Sequence, residues 1–159
     1  MSTDNIPLPS TALKPEDIPR LFVEYWNLRR ADYLSQLFEQ DADFINVVGL
    51  WWENRDDIFK AHDYGLKVIF NNSDLSIIRL KTKMLADDLA IVYAKLKIVG
   101  QTTVKEVEAG TRRTIITFVV RRSGQGVWSA ISGQNVDIVG GVETNIRRED
   151  GSLSSIDYR

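Results

Sequence analysis

The chain of 159 residues contains no cysteine and only one histidine, His62. Without cysteine there can be no disulfide, no thiolate nucleophile and no iron–sulfur or cysteine-based zinc site. A single imidazole likewise rules out a metal site built from several histidines. We therefore expect no metal, and enzymes that depend on such sites are set aside before any motif is considered.

A surplus of positive charge is also missing. The 20 Lys and Arg residues are outnumbered by 22 Asp and Glu residues, which gives a formal net charge of −2. Proteins that bind nucleic acid through its phosphates usually carry a basic surplus. No nucleic-acid partner is therefore expected. The short arginine pairs fall at the ends of predicted elements and indicate solvated boundaries.

Long apolar runs and a glycine-rich phosphate loop are absent too. No segment approaches the roughly 18 apolar residues of a membrane-spanning helix. The N-terminal sequence lacks the basic-then-apolar pattern of a signal peptide, and no Gly-x-Gly-x-x-Gly opens a helix after a predicted strand. We expect no membrane partner, no dinucleotide or other cofactor and, by default, a cytoplasmic location.

What remains is the composition of one globular domain. Hydrophobic residues make up 43% of the chain and charged residues 26%, which is typical of a soluble protein that can bury its own core. Pro7 and Pro9 mark residues 1–13 as a flexible N-terminal arm. A single α+β domain is predicted over residues 14–140, and a polar tail over residues 141–159.

Apolar spacing predicts three helices before the main sheet. The first follows Pro15, and a second short helix begins at Asp32. A third begins at Asp56 and carries His62 on its apolar face. The apolar stripe of the first helix consists of Ile18, Leu21, Phe22, Tyr25 and Trp26.

The strands follow a different pattern. One is predicted over residues 43–48, and an antiparallel meander follows over 75–84, 89–102, 111–122 and 127–139. Helices gathered ahead of a meander indicate an α+β fold in which they pack on one face of the sheet. Because the other face is also fairly apolar, we predict a homodimer through that sheet face.

Two motifs give the fold a family likeness. Residues 41–62 (DADFINVVGLWWENRDDIFKAH) place a Trp pair in the turn after a strand and an Ala-His pair on the next helix. In the last strand, Trp128 and Ile131 precede Gln134, Asn135 and Asp137. Together these motifs resemble the SnoaL-like branch of the nuclear transport factor 2-like superfamily. The closest likeness is to SgcJ/EcaC-type proteins, a family described as oxidoreductases, over roughly residues 15–139.

The resemblance implies a curved sheet wrapped by helices into a cone with a deep pocket, commonly as a homodimer. Ketosteroid isomerase, limonene epoxide hydrolase, scytalone dehydratase, polyketide cyclases and non-enzymatic association domains share this scaffold, so the fold alone selects no function. Val136 replaces the usual Thr, and Asn54 stands where a turn Gly is common. No mid-strand Asp matches those of the isomerase or the hydrolase, so the catalytic carboxylates of neither enzyme can be carried over to this chain. Nothing else supports redox chemistry.

His62 and Asn46 are the candidate catalytic residues. An imidazole titrates near neutrality, so His62 could act as a general acid or base, or be a buried histidine satisfied by a neighbour. Asn46 lies in an apolar strand, where a buried amide needs partners. It either orients a ligand oxygen or serves the structure.

The candidate ligand-binding residues are aromatic or polar. Gln134 and Asn135 point to opposite faces of the last strand. Small side chains at 130 and 132 share the face of Gln134, so we predict Gln134 in the pocket and Asn135 at an interface or rim. Arg113 could reach an anionic ligand or be an exposed strand-end residue. The aromatic candidates for the pocket wall, with ordinary core packing as the alternative, are Tyr25, Trp26 and Trp52.

Two functional hypotheses follow. The first is a cofactor-independent acid/base enzyme, of isomerase, cyclase, dehydratase or cofactor-free oxygenase type, acting on an apolar or polyketide-like small molecule. The second is a non-catalytic ligand-binding, association or dimerisation module. A His62 without access to a cavity, or a cavity closed to solvent, would favour the second.

Overall fold

The computed structural model describes residues 9–159. Three helices precede most of the strands. The helices are α1 (Asp17–Asn27), α2 (Ala31–Gln36) and α3 (Arg55–Val68). The strands are β1 (Phe38–Ile45), β2 (Trp51–Trp52), β3 (Asp74–Ala86), β4 (Leu89–Val99), β5 (Arg112–Arg122), β6 (Trp128–Asp137), β7 (Thr144–Arg147) and β8 (Leu153–Ile156).

The first six strands form one sheet in the order β2-β1-β6-β5-β4-β3. Every neighbouring pair is antiparallel except β1 and β6, which run parallel. The three helices pack on one face of this sheet. The predicted α+β architecture, with helices on a mostly antiparallel curved sheet, is confirmed.

Helix α1 places one apolar face on the sheet and ends in a tight cap. Arg29 has a φ of 58°, and the N–H of Arg30 bonds the Tyr25 carbonyl at 2.9 Å. This is the Schellman arrangement that satisfies the last carbonyls of a helix. The Asn27 side chain then donates to the Leu75 carbonyl and accepts from the Leu75 N–H, at 2.8 and 2.9 Å. These bonds fix the end of α1 against β3.

Helix α3 carries His62 and has a well-defined start. Asn54, where the family resemblance led us to expect a glycine, is extended and its side chain accepts from the Asp57 N–H at 2.8 Å. Asn54 is therefore the N-cap of α3, which explains why an amide is useful at this turn. Because Ile58, His62 and Leu66 are the buried residues of α3, one helical stripe faces the sheet.

Strand β6 contains a β-bulge. Val119 pairs with Ser132, but Val120 pairs with Ala130, so Ile131 is an extra residue on β6. Such a bulge bends the strand and increases its twist. Just beyond it, Gly133 is required because an added Cβ would come within 2.8 Å of the Phe44 ring. The bend and the glycine together let Phe44 lie directly over β6.

Two boundaries differ from the prediction. Strand β1 begins at Phe38 instead of at residue 43, and it ends at Ile45 instead of at residue 48. The polar residues from Glu39 to Asp41 lie where the pairing of β1 with β6 is irregular. For this reason their sequence does not show the pattern of a strand. The predicted polar tail contains a hairpin, β7–β8, in which the Ile146 side chain is half exposed.

Residues 1–8 of the predicted arm lie outside the described residues. Residues 9–13 rest on the body of the domain. Ala12 is buried, and its carbonyl accepts from the Trp128 N–H at 2.9 Å. The Tyr25 hydroxyl accepts from the Ser10 N–H at 2.7 Å. The domain therefore begins earlier than residue 14.

Within residues 9–159, none of the helices combines the length and apolar character needed to cross a bilayer. The cytoplasmic location stays a prediction.

Candidate active site

A partly enclosed cavity of about 140 Å³ lies between the helices and the concave face of the sheet. Its walls come from α1, α3 and all six strands of the main sheet, and its opening reaches solvent. Most of its wall is apolar. The residues that line it are Phe22, Trp26, Phe44, Asn46, Val47, Trp52, Ala61, His62, Gly65, Phe70, Leu75, Leu96, Ile98, Arg112, Thr114, Ile116 and Asn135.

A wider groove of about 600 Å³ lies on the surface beside α2 and the start of α3. It is more open to solvent than the smaller cavity, and its lining residues are mostly polar, including Gln36, Gln40 and Arg55 but no imidazole. Ligand sites are usually enclosed and mostly apolar with a few polar groups. The smaller cavity fits that description, so it is the candidate site.

His62 is fixed at the wall of the cavity by its own helix. Its Nδ1 lies 2.8 Å from the carbonyl oxygen of Ile58, one turn earlier. Because a carbonyl oxygen only accepts, Nδ1 carries the proton of the neutral ring and Nε2 keeps its lone pair. No hydrogen bond to Nε2 comes from residues 9–159. The ring therefore offers the cavity a hydrogen-bond acceptor or a base.

Four aromatic side chains surround the imidazole. The centroids of Phe22 and Phe44 lie 5.7 and 5.4 Å from that of His62, and both rings stand nearly perpendicular to it. Trp26 and Trp52 lie 6.3 and 5.8 Å away. Trp52 also stacks on Phe44. This aromatic cage makes the surroundings of His62 water-poor and provides flat apolar walls.

Burial lowers the pKa of the His62 imidazole below its ordinary value, and the hydrogen bond to Ile58 only partly offsets this. The ring is therefore neutral at neutral pH. No carboxylate hydrogen-bonds to the ring among the described residues. His62 is thus in the protonation state of a base, without a carboxylate to stabilise the imidazolium that it would become.

The same pKa shift predicts how stability depends on pH. Unfolded, His62 titrates near about 6.5, so as the pH falls the unfolded chain takes up this proton before the folded chain does. Stability due to the neutral ring is complete above about pH 6.5 and is lost as the pH falls toward the lower folded pKa. We expect the urea concentration at the midpoint of unfolding to decrease as the pH is lowered from about 7 to about 5. In His62→Gln this decrease should be smaller. Equal slopes in both proteins would contradict this.

A cluster of polar side chains lies where the start of β5 meets the end of β6. The Arg112 Nε donates to Asp137 Oδ1 at 2.7 Å. The Thr114 hydroxyl donates to the Val136 carbonyl at 2.8 Å and contacts the side-chain amide of Asn135. Arg112 also borders the surface groove along residues 101–111. The cluster therefore stands at the mouth of the cavity.

Asn46 lines the cavity, but its side-chain oxygen, Oδ1, already accepts hydrogen bonds from the backbone. Asn46 Oδ1 accepts from the N–H groups of Val48 and Leu50, at 3.1 and 2.9 Å. The side chain therefore organises the turn between β1 and β2. The structure therefore favours a role for Asn46 in holding the turn over a role in orienting a ligand. Only its side-chain amide nitrogen remains available to a ligand.

The expected orientations of Gln134 and Asn135 are reversed. Gln134 is exposed and does not line the cavity, whereas Asn135 does. The reason is the extra residue Ile131, which shifts the alternation of β6 by one position. Before the bulge, Ala130 faces the helices, and after it Gly133 and Asn135 do.

Of the other predicted binding residues, two line the cavity and two do not. Trp26 and Trp52 line the cavity, and Trp26 also donates its Nε1–H to Ser73 at 3.0 Å. Tyr25 is a core residue that packs on Tyr33 outside the cavity. Arg113 is exposed on the outer side of β5, so its neighbour Arg112 takes the place expected of it.

Two site residues were missed by sequence reasoning, Arg112 and Thr114. Both alternate with Ile116 and Phe118 on the inner face of β5, and this period-two pattern was a usable signal. Among the described residues there is no group of three or more His, Asp or Glu side chains that could hold a metal ion.

Neither protein-family models nor curated protein sequences match this chain. Solved structures do. An uncharacterised protein with a cystatin-like fold from Caulobacter vibrioides aligns with a TM-score of 0.73 and 23% identity, over 79% of this chain and 87% of that one. An NTF2-like protein with a cystatin-like fold from Novosphingobium aromaticivorans aligns with a TM-score of 0.64 and 16% identity, over 79% and 80%.

A ketosteroid isomerase-like protein from Erwinia carotovora atroseptica aligns with a TM-score of 0.65 and 15% identity, over 78% of this chain and 93% of that one. At such identities the likeness concerns the fold. This chain has the cystatin-like, NTF2-like fold that residues 41–62 predicted. The narrower resemblance to SgcJ/EcaC-type proteins stays a prediction.

Proposed function

We propose that this domain binds a small apolar molecule in the cavity and catalyses a cofactor-independent proton transfer on it, with His62 as the base. One observation carries the proposal. The imidazole is locked by Ile58 with its proton on Nδ1, so a neutral ring with an unpaired Nε2 borders a cavity that opens to solvent. Access of His62 to an open cavity is the feature that favours an enzyme over a purely structural module.

The size of the cavity limits the substrate to about one ring. A cavity of about 140 Å³ is below the roughly 300–1,000 Å³ of sites for drug-sized ligands. An engineered apolar cavity of roughly 150 Å³ in another protein binds benzene. A multi-ring polyketide-like substrate is therefore disfavoured, and a monocyclic one is proposed in its place.

The donors for a substrate oxygen lie at the cavity mouth. Asn135 occupies the position expected of Gln134, and Arg112 lines the same cavity. In the proposed reaction, Nε2 of His62 removes a proton from the carbon next to a carbonyl group. The negative charge moves to the carbonyl oxygen, where amide or guanidinium N–H groups can stabilise it. The imidazolium then returns the proton to another carbon, which regenerates the neutral ring.

A probe of the right size tests the proposal. β,γ-Cyclohexenone has one ring, and removal of the proton between its carbonyl group and double bond leads to the conjugated isomer. We expect the protein to speed this isomerisation above the buffer rate, followed by the ultraviolet absorbance of the conjugated ketone. Saturation with rising probe concentration would indicate turnover in a binding site. A rate equal to buffer, with the probe shown by NMR to occupy the cavity, would contradict catalysis.

The second candidate is a non-catalytic binder. It is favoured by a specific observation, the absence of any carboxylate hydrogen-bonded to the imidazole among the described residues. A base without such support forms its imidazolium at a cost, because burial already disfavours the charged ring. The same cavity would then hold its ligand without changing it.

We also propose a homodimer through the face of the sheet opposite the helices. On that face Tyr93, Ile115 and Val136 are each more than a third exposed. Ile115 and Val136 are paired neighbours on β5 and β6, so their side chains adjoin. Apolar groups that adjoin on a sheet face are commonly covered by a partner.

A further inference from the structure

We propose that the ligand of this cavity is a one-ring organic acid, whose ring lies in the aromatic cage and whose carboxylate binds Arg112. The inference rests on the proposed function, because it assumes that the cavity takes a ligand. It adds a charge and an orientation to that ligand, and it makes Arg112 the residue that determines specificity.

The guanidinium of Arg112 is held in a fixed orientation, but only one of its nitrogen atoms donates a hydrogen bond to the described part of the chain. Asp137 accepts from its Nε at 2.7 Å, which fixes the plane of the group. No acceptor among residues 9–159 bonds the two Nη groups. Their N–H donors form the planar fork that matches the two oxygens of a carboxylate. Arg112 is therefore a preset anion-binding group at the cavity mouth.

The rest of the wall tolerates a negative charge. The described residues that line the cavity include no Asp and no Glu. Apart from Asp137, which does not line the cavity, the polar groups of this cluster are the Thr114 hydroxyl and the Asn135 amide, which are neutral. An incoming carboxylate thus meets N–H donors and no like charge within the wall. Asp137 balances the net charge of Arg112, so the attraction is short-ranged and directional.

The aromatic part of the cavity wall fits a different chemical group. Flat aromatic walls fit a ring, and the Nε2 of His62 accepts a proton or a hydrogen bond. A ring hydroxyl or an acidic C–H would meet it. A carboxylate at the mouth and a donor on the ring together describe a hydroxybenzoate-sized acid, which serves as the probe.

The experiment compares para-hydroxybenzoate with its neutral isostere para-hydroxybenzamide and with phenol. Binding is measured by calorimetry. The NMR signals of His62, the only histidine of the chain, report whether each probe enters the cavity. We expect the acid to bind about 10- to 100-fold more tightly than the amide, the usual gain from charge-assisted hydrogen bonds.

Arg112→Gln removes the fork, and Arg113→Gln is the matched control because it changes the next residue, whose side chain is exposed on the outer side of β5. In Arg112→Gln the affinity for the acid should fall about 10- to 100-fold while phenol binding stays within about twofold. Arg113→Gln should leave both unchanged. If Arg112→Gln does not fold, the acid-against-amide comparison in the unmodified protein still decides.

The outcomes separate the two proposals. Equal affinity for acid and amide, or an unchanged affinity for the acid in Arg112→Gln, would overturn the organic-acid ligand and leave cavity binding intact. Failure of all three probes, phenol included, to shift the His62 signals would overturn the acid ligand together with the one-ring ligand of the proposed function.

Discussion

Glutamine in place of His62 should lower the kcat for isomerisation of β,γ-cyclohexenone by at least about 100-fold, the lower end of what a positioned general base contributes. Glutamine is polar and of similar size, and it can still bond the Ile58 carbonyl. It cannot accept a proton at neutral pH. KM should change little, since the aromatic cage that holds the ring is intact. The measurement is the initial rate over a range of probe concentrations.

Two controls make this result specific to the imidazole. Lys60→Gln alters an exposed side chain on the same helix and should keep the full rate. In the unmodified protein, kcat should rise with pH as His62 loses its proton, with an apparent pKa below the ordinary histidine value because burial lowers it. The residual rate of His62→Gln should lack that rise. A variant that keeps more than half of the rate would remove His62 from the mechanism.

Much of the fold could be predicted because it depends on local patterns. The helical stripe from Ile18 to Trp26 and the period-two alternation of β5 both mark a face that must be buried. The position of His62 on the apolar stripe of α3 followed from the same logic. These patterns record which side of an element faces the core, and the core is where the cavity lies.

What could not be predicted depends on pairing between distant segments. Ile131 is inserted relative to β5, and nothing in the sequence of β6 alone marks it as an extra residue. That single insertion decides whether Gln134 or Asn135 faces the cavity, because alternation resumes one position later. Reading β6 as a regular strand therefore gave the wrong residue.

Asn46 shows a different limit. The sequence places an amide beside apolar neighbours, which is compatible with a pocket or with a turn. The Asn46 side chain bonds the turn because the backbone N–H groups of Val48 and Leu50 need acceptors. Asn46 Oδ1 lies within 3.1 Å of both nitrogen atoms. A residue type alone cannot reveal this competition, since the geometry of the loop decides it.

Alanine in place of Phe118 should lower the free energy of unfolding by about 3–5 kcal/mol, the usual cost of deleting a fully buried phenyl ring. Phe118 is fully buried, and its ring centroid lies 5.6 Å from that of Phe22 and 6.4 Å from that of Phe38. It therefore joins α1, β1 and the middle of the sheet. Against a typical total stability of about 5–15 kcal/mol, the loss should be evident as a large fall in the urea midpoint.

Ile115→Ala is the matched control, because it lies on the same strand but faces away from the helices and is 37% exposed. In an isolated monomer it should cost only about 1 kcal/mol, since part of its side chain is already in water. A homodimer changes this expectation. If the outer face is buried against a second copy, the cost should approach that of Phe118→Ala and the unfolding midpoint should rise with protein concentration. A small cost that is the same at every concentration would count against the dimer and leave the role of Phe118 unaffected.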